Sequence, residues 1–272
     1  MQELISNGKK LTYEIHGDTG EYLLLLNGLM MTDKSWLTYV PTLMQYYKVI
    51  CFNMHDQGNS EMMDELYPLD RQVEAVLALI DHIGIEKINL IGTSYGGCVA
   101  LSFSIKYPAR VKKMLVFNTP VYADPYIIEI GRLWQKAALS YNVDTYYDSF
   151  APNLYAPEYF EKHYDTIYQR KELLRPFLTA PYYDSIVRLC KSNEKFDVRD
   201  DLDKITAPVL IIGGDEDYIT PLRHQRIMAE KIPDNRFIIL PGGGHGVVFE
   251  KSDMIVFLAI GWFREINVMP VF

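Results

Sequence analysis

Positive charge is scarce in this chain. Lys and Arg number 27 against 35 Asp and Glu, a formal net charge of −8, with an isoelectric point near 5.3. A surface of that sign repels phosphate backbones and anionic lipid, which argues against nucleic acid or a membrane surface as a charge-held partner. Cysteine is scarcer still. Cys51, Cys98 and Cys190 are an odd number, far apart and without CxxC spacing, so they read as free buried thiols in a reducing compartment, with no disulfide framework and no zinc site. Long apolar runs are missing too. None reaches the roughly 18 residues that span a bilayer, and the best candidate, residues 22–31, is broken by Asn27 and Gly28. The first eight residues show no basic stretch leading into an apolar core, so no secretory leader is read and a cytoplasmic protein is expected.

What is present is an ordinary globular composition, 49% hydrophobic and 23% charged over 272 residues. That length suits one large domain, or a core with an inserted subdomain. Over the first 120 residues short β-type runs alternate with helical patterns. Residues 11–16, 22–26, 48–53, 87–91 and 111–117 read as strands. Residues 69–83 place Val73, Val76, Leu77, Ile80 and Ile83 at helical spacing with Gly84 as the stop, and residues 95–107 form a second helix ended by Pro108. The rhythm returns late in the chain. Residues 208–212 and 236–240 read as strands, Pro221 opens a helix with Thr220 as its cap, and residues 250–265 form a final amphipathic helix. Such alternation means βαβ units around a mainly parallel sheet, with the strands at 11–16 and 22–26 expected as an antiparallel edge.

Residues 121–200 break the rhythm. They hold 11 of the 20 tyrosines and no convincing strand, and Pro152, Pro157, Pro176 and Pro181 divide them into three or four helices. The expected division is therefore a core from residues 1–120 and 201–272, with 121–200 an all-helical insertion.

One contiguous motif carries chemistry. Gly92-Thr93-Ser94-Tyr95-Gly96 directly follows a strand and directly precedes a helix, the context in which G-x-S-x-G forms a nucleophile elbow. A hydroxyl is a poor nucleophile without a base, so a carboxylate and a histidine should follow in the order Ser, acid, His. Gly214-Asp215-Glu216-Asp217 and Gly242-Gly243-Gly244-His245-Gly246 each lie just after a strand, at the strand ends where α/β sites form. His224 falls on the helix after Pro221 and reads as a surface residue. Asp215-Glu216-Asp217 lacks the further oxygen ligands of a calcium loop, and the glycine run at 92–97 lacks a P-loop lysine. No metal and no cofactor are expected.

With these residues in view, the sequence resembles the α/β-hydrolase fold family, in its serine-nucleophile branch with a helical cap. Residues 53–60, Asn-Met-His-Asp-Gln-Gly-Asn-Ser, are similar to the family's D-x-x-G-x-G-x-S turn, and residues 200–210 to the segment returning from cap to core. The resemblance implies Ser94 as nucleophile, His245 as base and Asp217, at G-x-x-D before the helix-opening proline, as acid. Asp215 is expected to bond the amides of its own turn. The position after the preceding strand, where some members carry the acid, is Asn118. The oxyanion is expected on the backbone N–H groups of Tyr95 and Leu29, the latter in Asn27-Gly28-Leu29 where the family usually has His-Gly-x. The implied activity is cleavage of a carboxylic ester or thioester of a small to medium acyl group through an acyl-enzyme. Lactone or C–C bond hydrolysis, and a non-catalytic ligand receptor of the same fold, are the alternatives. Nothing in the sequence fixes the oligomeric state.

Overall fold

A computed structural model describes residues 1–264. Eight strands form one sheet: β1 (Gln2–Ser6), β2 (Lys9–His16), β3 (Tyr22–Leu26), β4 (Lys48–Asn53), β5 (Ile88–Thr93), β6 (Val111–Phe117), β7 (Val209–Gly214) and β8 (Asn235–Leu240), in the order β1-β2-β4-β3-β5-β6-β7-β8. From β4 to β8 every pairing is parallel.

The expected antiparallel edge exists, but with different members. β2 pairs antiparallel with β1 and β4, and β3 lies in the middle of the parallel region between β4 and β5. Two local facts decide this. Asn7 and Gly8 both take positive φ, +51° and +76°, which closes a two-residue hairpin between β1 and β2. Leu23 to Leu26 are all fully buried, the pattern of a strand covered on both faces.

The helices are α1 (Val40–Leu43), α2 (Asp70–Ile83), α3 (Tyr95–Lys106), α4 (Pro125–Ala138), α5 (Val143–Leu154), α6 (Pro157–Lys162), α7 (Tyr164–Leu174), α8 (Ala180–Asn193), α9 (Arg223–Lys231), α10 (Val247–Glu250) and α11 (Ser252–Phe263). Side chains alternate across the sheet, so each face has its own core. Leu24, Leu26, Ile50, Phe52, Leu90 and Val116 pack with α2 and α3. Leu23, Leu25, Val49, Cys51, Ile91 and Phe117 pack with Trp36, Tyr39, α1 and α11. The three cysteines are free and buried. Among the described residues no helix is long and apolar enough to cross a membrane.

Between β6 and β7 the chain makes α4 to α8 and, apart from a single bridge between Tyr122 and Asp197, no extended pairing. Pro157 and Pro181 sit in the first turns of α6 and α8, where a missing N–H costs nothing. Pro152, expected to end a helix, instead lies inside the last turn of α5. The final helix is also divided. Lys251 separates α10 from α11, and residue 265, where it was expected to end, lies outside the described residues.

Candidate active site

Ser94 stands between β5 and α3. Its backbone takes φ +51° and ψ −116°, a conformation that costs a non-glycine residue free energy and persists only where the surroundings impose it. Two glycines make the turn passable. A Cβ on Gly92 would lie 2.7 Å from the Gly96 carbonyl oxygen, and one on Gly96 would lie 2.2 Å from that of Leu26.

His245 follows β8 and Asp217 follows β7, on loops from adjacent strands. His245 Nε2 lies 3.0 Å from Ser94 Oγ, and His245 Nδ1 lies 2.9 Å from Asp217 Oδ2 and 3.1 Å from Oδ1. An ionised carboxylate only accepts, so the Nδ1 proton is assigned to face Asp217 and the Nε2 lone pair to face the Ser94 hydroxyl. Asp217 also accepts from the Ile219 and Thr220 amides, each at 2.8 Å, and from the Thr220 hydroxyl at 2.6 Å. Its burial works to raise the carboxyl pKa. The His245 ring, its hydrogen bond and those from Thr220 outweigh that and hold the group below its ordinary value.

Asp215 is held elsewhere. Its carboxylate accepts from the Gly242 amide at 2.7 Å, so it braces the neighbouring histidine loop rather than its own turn. Thr220 is not a helix cap: α9 begins at Arg223 without a side-chain cap, and the Thr220 hydroxyl is directed to Asp217, 3.2 Å from His245 Nδ1. Nor is His224 on the surface. It is fully buried, 3.3 Å from Asp124, with burial the main force depressing its pKa.

Tyr95 supplies the first amide of α3, and Leu29 follows β3. Neither amide donates a hydrogen bond among the described residues, and both residues line cavity space next to Ser94. Asn27 holds the Leu29 loop from inside the protein. Its amide group donates to the Phe52 carbonyl and to Gln57, its oxygen accepts from the Trp36 indole, and Gln57 in turn donates to the Gly28 carbonyl. The loop is thus braced by asparagine and glutamine at a position where histidine is more usual.

Three further groups at the site carry no sequence motif. Asn118 is completely buried with φ +47°. It donates to the Gly244 and His245 carbonyls at 2.7 and 3.1 Å and accepts from the Gly214 amide at 3.0 Å, tying the acid strand to the histidine loop. Glu250 accepts from the Gly244 amide at 2.9 Å and the Ala156 amide at 3.2 Å, linking that loop to the helical segment. Arg170 projects from α7 into the cavity. A polar residue closing a buried strand was the one available signal, and it marked only Asn118.

Two arms of cavity meet at Leu29, Ser94 and Trp134. One is lined by aromatic and aliphatic side chains, including Tyr146, Phe150, Tyr155, Tyr182 and Phe249, with His245 and Arg170. The other runs between α4 and α8 past Ile127, Ile128, Gln135, Asn193 and Glu194.

A family profile for the alpha/beta hydrolase fold matches residues 21–252. The chain is 27% identical over 261 residues to a 2-hydroxy-6-oxo-6-phenylhexa-2,4-dienoate hydrolase of Comamonas testosteroni, covering 90% of this chain and 88% of the relative. It is 25% identical over 263 residues to the 3-oxoadipate enol-lactonase 1 of Acinetobacter baylyi, covering 96% and 95%. Among solved structures it is similar to MGS-M2, an alpha/beta hydrolase enzyme from a Medee basin deep-sea metagenome library, with 33% identity, full coverage of both chains and a TM-score of 0.95. Strand order, elbow and these likenesses agree, and the chain belongs to the α/β-hydrolase fold family as a hydrolase enzyme.

Proposed function

We propose that the protein hydrolyses a carboxylic ester or thioester of a small to medium acyl group through an acyl-enzyme on Ser94. The reading rests on the relay from Asp217 through the His245 ring to Ser94 Oγ, opening on an apolar cavity. Ser94 Oγ attacks the carbonyl carbon while His245 Nε2 takes the hydroxyl proton. The oxyanion accepts from the Leu29 and Tyr95 amides, and Asp217 orients and stabilises the imidazolium. His245 then protonates the leaving oxygen or sulfur, the C–O or C–S bond breaks, and Ser94 is left acylated. In the second half His245 Nε2 deprotonates a water that attacks the acyl carbon, and the proton returns to Ser94 as the acid departs. The scheme calls for no metal or cofactor.

In this reading residues 121–200 act as a cap on a core of 1–120 and 201–272, and its side chains select the acyl group. One methylene in an apolar pocket is worth roughly 1–3 kcal/mol, so replacing Phe150 or Tyr182 by alanine should shift the preferred chain length while leaving the chemical steps in place. Lactone or C–C bond cleavage is the second reading, favoured by the reactions for which the two curated relatives are named. A panel of p-nitrophenyl esters, thioesters and lactones, run against a Ser94→Ala control, separates the two. Saturable turnover of the esters supports the first. Turnover of lactones alone supports the second. A ligand-induced rise in melting temperature without turnover would replace both with a binding protein.

A further inference from the structure

Arg170 is an unusual cation in this structure. Nearby on the same helix and just beyond it, Lys171 pairs with Asp144 and Asp148, and Arg175 with Asp144 and Glu172. Arg170 pairs with no carboxylate among the described residues, yet it lines the aromatic arm of the cavity that Ser94 and His245 also line. Its guanidinium centre lies 4.2 Å from the centre of the Phe249 ring, a cation–π contact that holds the group against the cavity wall. The carboxylate next in sequence to that ring, Glu250, is already engaged by the Gly244 and Ala156 amides.

We propose that the substrate carries a carboxylate, and that Arg170 binds it while the scissile carbonyl rests at Ser94. The proposal builds on the hydrolase reading of Ser94 and names the substrate class for it. A cation partly withdrawn from water and left without a counter-ion is unfavourable, and an entering carboxylate relieves that cost. The planar guanidinium offers two parallel N–H groups, matched to both oxygens of a carboxylate. The other arm fixes the direction. Its charged lining residue is Glu194, held by Gln135 and Lys191, and among the described residues its lining offers no lysine or arginine, so an anion finds its partner at Arg170. The aromatic walls exclude water between the two groups, which strengthens the attraction. Half-esters of dicarboxylic acids and lactones bearing a carboxylate side chain are the substrates with this layout.

The test compares mono-p-nitrophenyl glutarate with its neutral methyl diester on wild type, Arg170→Met and Arg170→Lys. In wild type the anionic ester has the higher kcat/KM. The ratio of anionic to neutral kcat/KM falls by about 30-fold or more in Arg170→Met, the scale for removing one partner of a desolvated charge pair, and falls less in Arg170→Lys. Calorimetric titration of Ser94→Ala with glutarate and adipate reads the anion site without turnover, and that binding disappears in the Ser94→Ala, Arg170→Met double variant. Equal ratios in wild type and Arg170→Met, with both esters hydrolysed, would overturn the carboxylate proposal and leave the hydrolase reading standing. Arg170-dependent glutarate binding with neither ester hydrolysed would sustain the anion site and overturn the ester-hydrolysis reading.

Discussion

At the scale of single residues the chemistry proposed for Ser94 depends on which carboxylate serves His245. Asp217 lies 2.9 Å from Nδ1, whereas Asp215 holds the Gly242 amide and is exposed. Asp217→Asn keeps the shape, removes the charge and favours the wrong imidazole tautomer. It should lower kcat by about 10⁴, the loss measured for the same change in a comparable triad. Asp215→Asn should lower kcat by less than about tenfold, through loosening of the histidine loop. Steady-state kinetics at one pH, with circular dichroism to confirm folding, decide between them, and the opposite ranking would mean that the acid is misassigned. Ser94, Asp217 and His245 are legible in the sequence because each sits in a short glycine-bearing loop directly after a readable strand. Thr220, Glu250 and Arg170 are not, because each reaches the site through space from a segment whose local pattern says only helix or turn. His224 shows the limit of position alone: it lies on an ordinary amphipathic helix, and only the fold decides that its face is inward.

At the scale of elements, the loop after β4 is tied to α8. Asp56, in that loop with φ +64°, has a fully buried carboxylate that accepts from Arg188 Nη2 at 2.6 Å and from Nε at 3.0 and 3.1 Å. Removing one partner of such a pair strands a buried charge. Arg188→Met should therefore lower unfolding free energy by about 3 kcal/mol or more, and adding Asp56→Asn should restore much of the loss. Urea unfolding of wild type, single and double variants measures both. A loss under about 1 kcal/mol in Arg188→Met would show that the pair does not hold α8 to the loop. The helix and parallel-strand pattern was readable from apolar spacing because both faces of the sheet are covered and the strands are nearly all apolar. The β1–β2 hairpin has its signal in Asn7-Gly8, but β1 is only five residues long and its buried positions, Leu4 and Ser6, make no apolar alternation. The unbroken apolar run Leu23–Leu26 marks β3 as a strand covered on both faces, but which strands flank it is set by crossovers and not by its own sequence.

At the scale of the whole molecule, stability should carry the mark of one buried ring. His55 has no hydrogen-bond partner for either ring nitrogen among the described residues. Burial depresses its pKa to about 4. In the unfolded chain the ring titrates near 6.5, so between those values the unfolded state binds more protons and stability falls as pH falls. The full window is worth about 3 kcal/mol at most. Between pH 7 and 4.5 wild type should lose about 2 kcal/mol more unfolding free energy than His55→Phe, and equal losses would show that the ring protonates as freely folded as unfolded. The fold class is legible at this scale because the elbow, the acid loop and the histidine loop must converge at the strand ends of one parallel sheet. The two-armed cavity is not, because it is the space left between α4, α5, α7 and α8, whose packing no motif encodes. Covalent catalysis at Ser94 is tested by quenching the reaction with p-nitrophenyl butyrate within its first turnover and mapping the acyl group by peptide mass spectrometry. A butyryl group is expected on Ser94, absent from Ser94→Ala together with nearly all turnover; an adduct on another residue, or undiminished turnover in Ser94→Ala, would contradict covalent catalysis there.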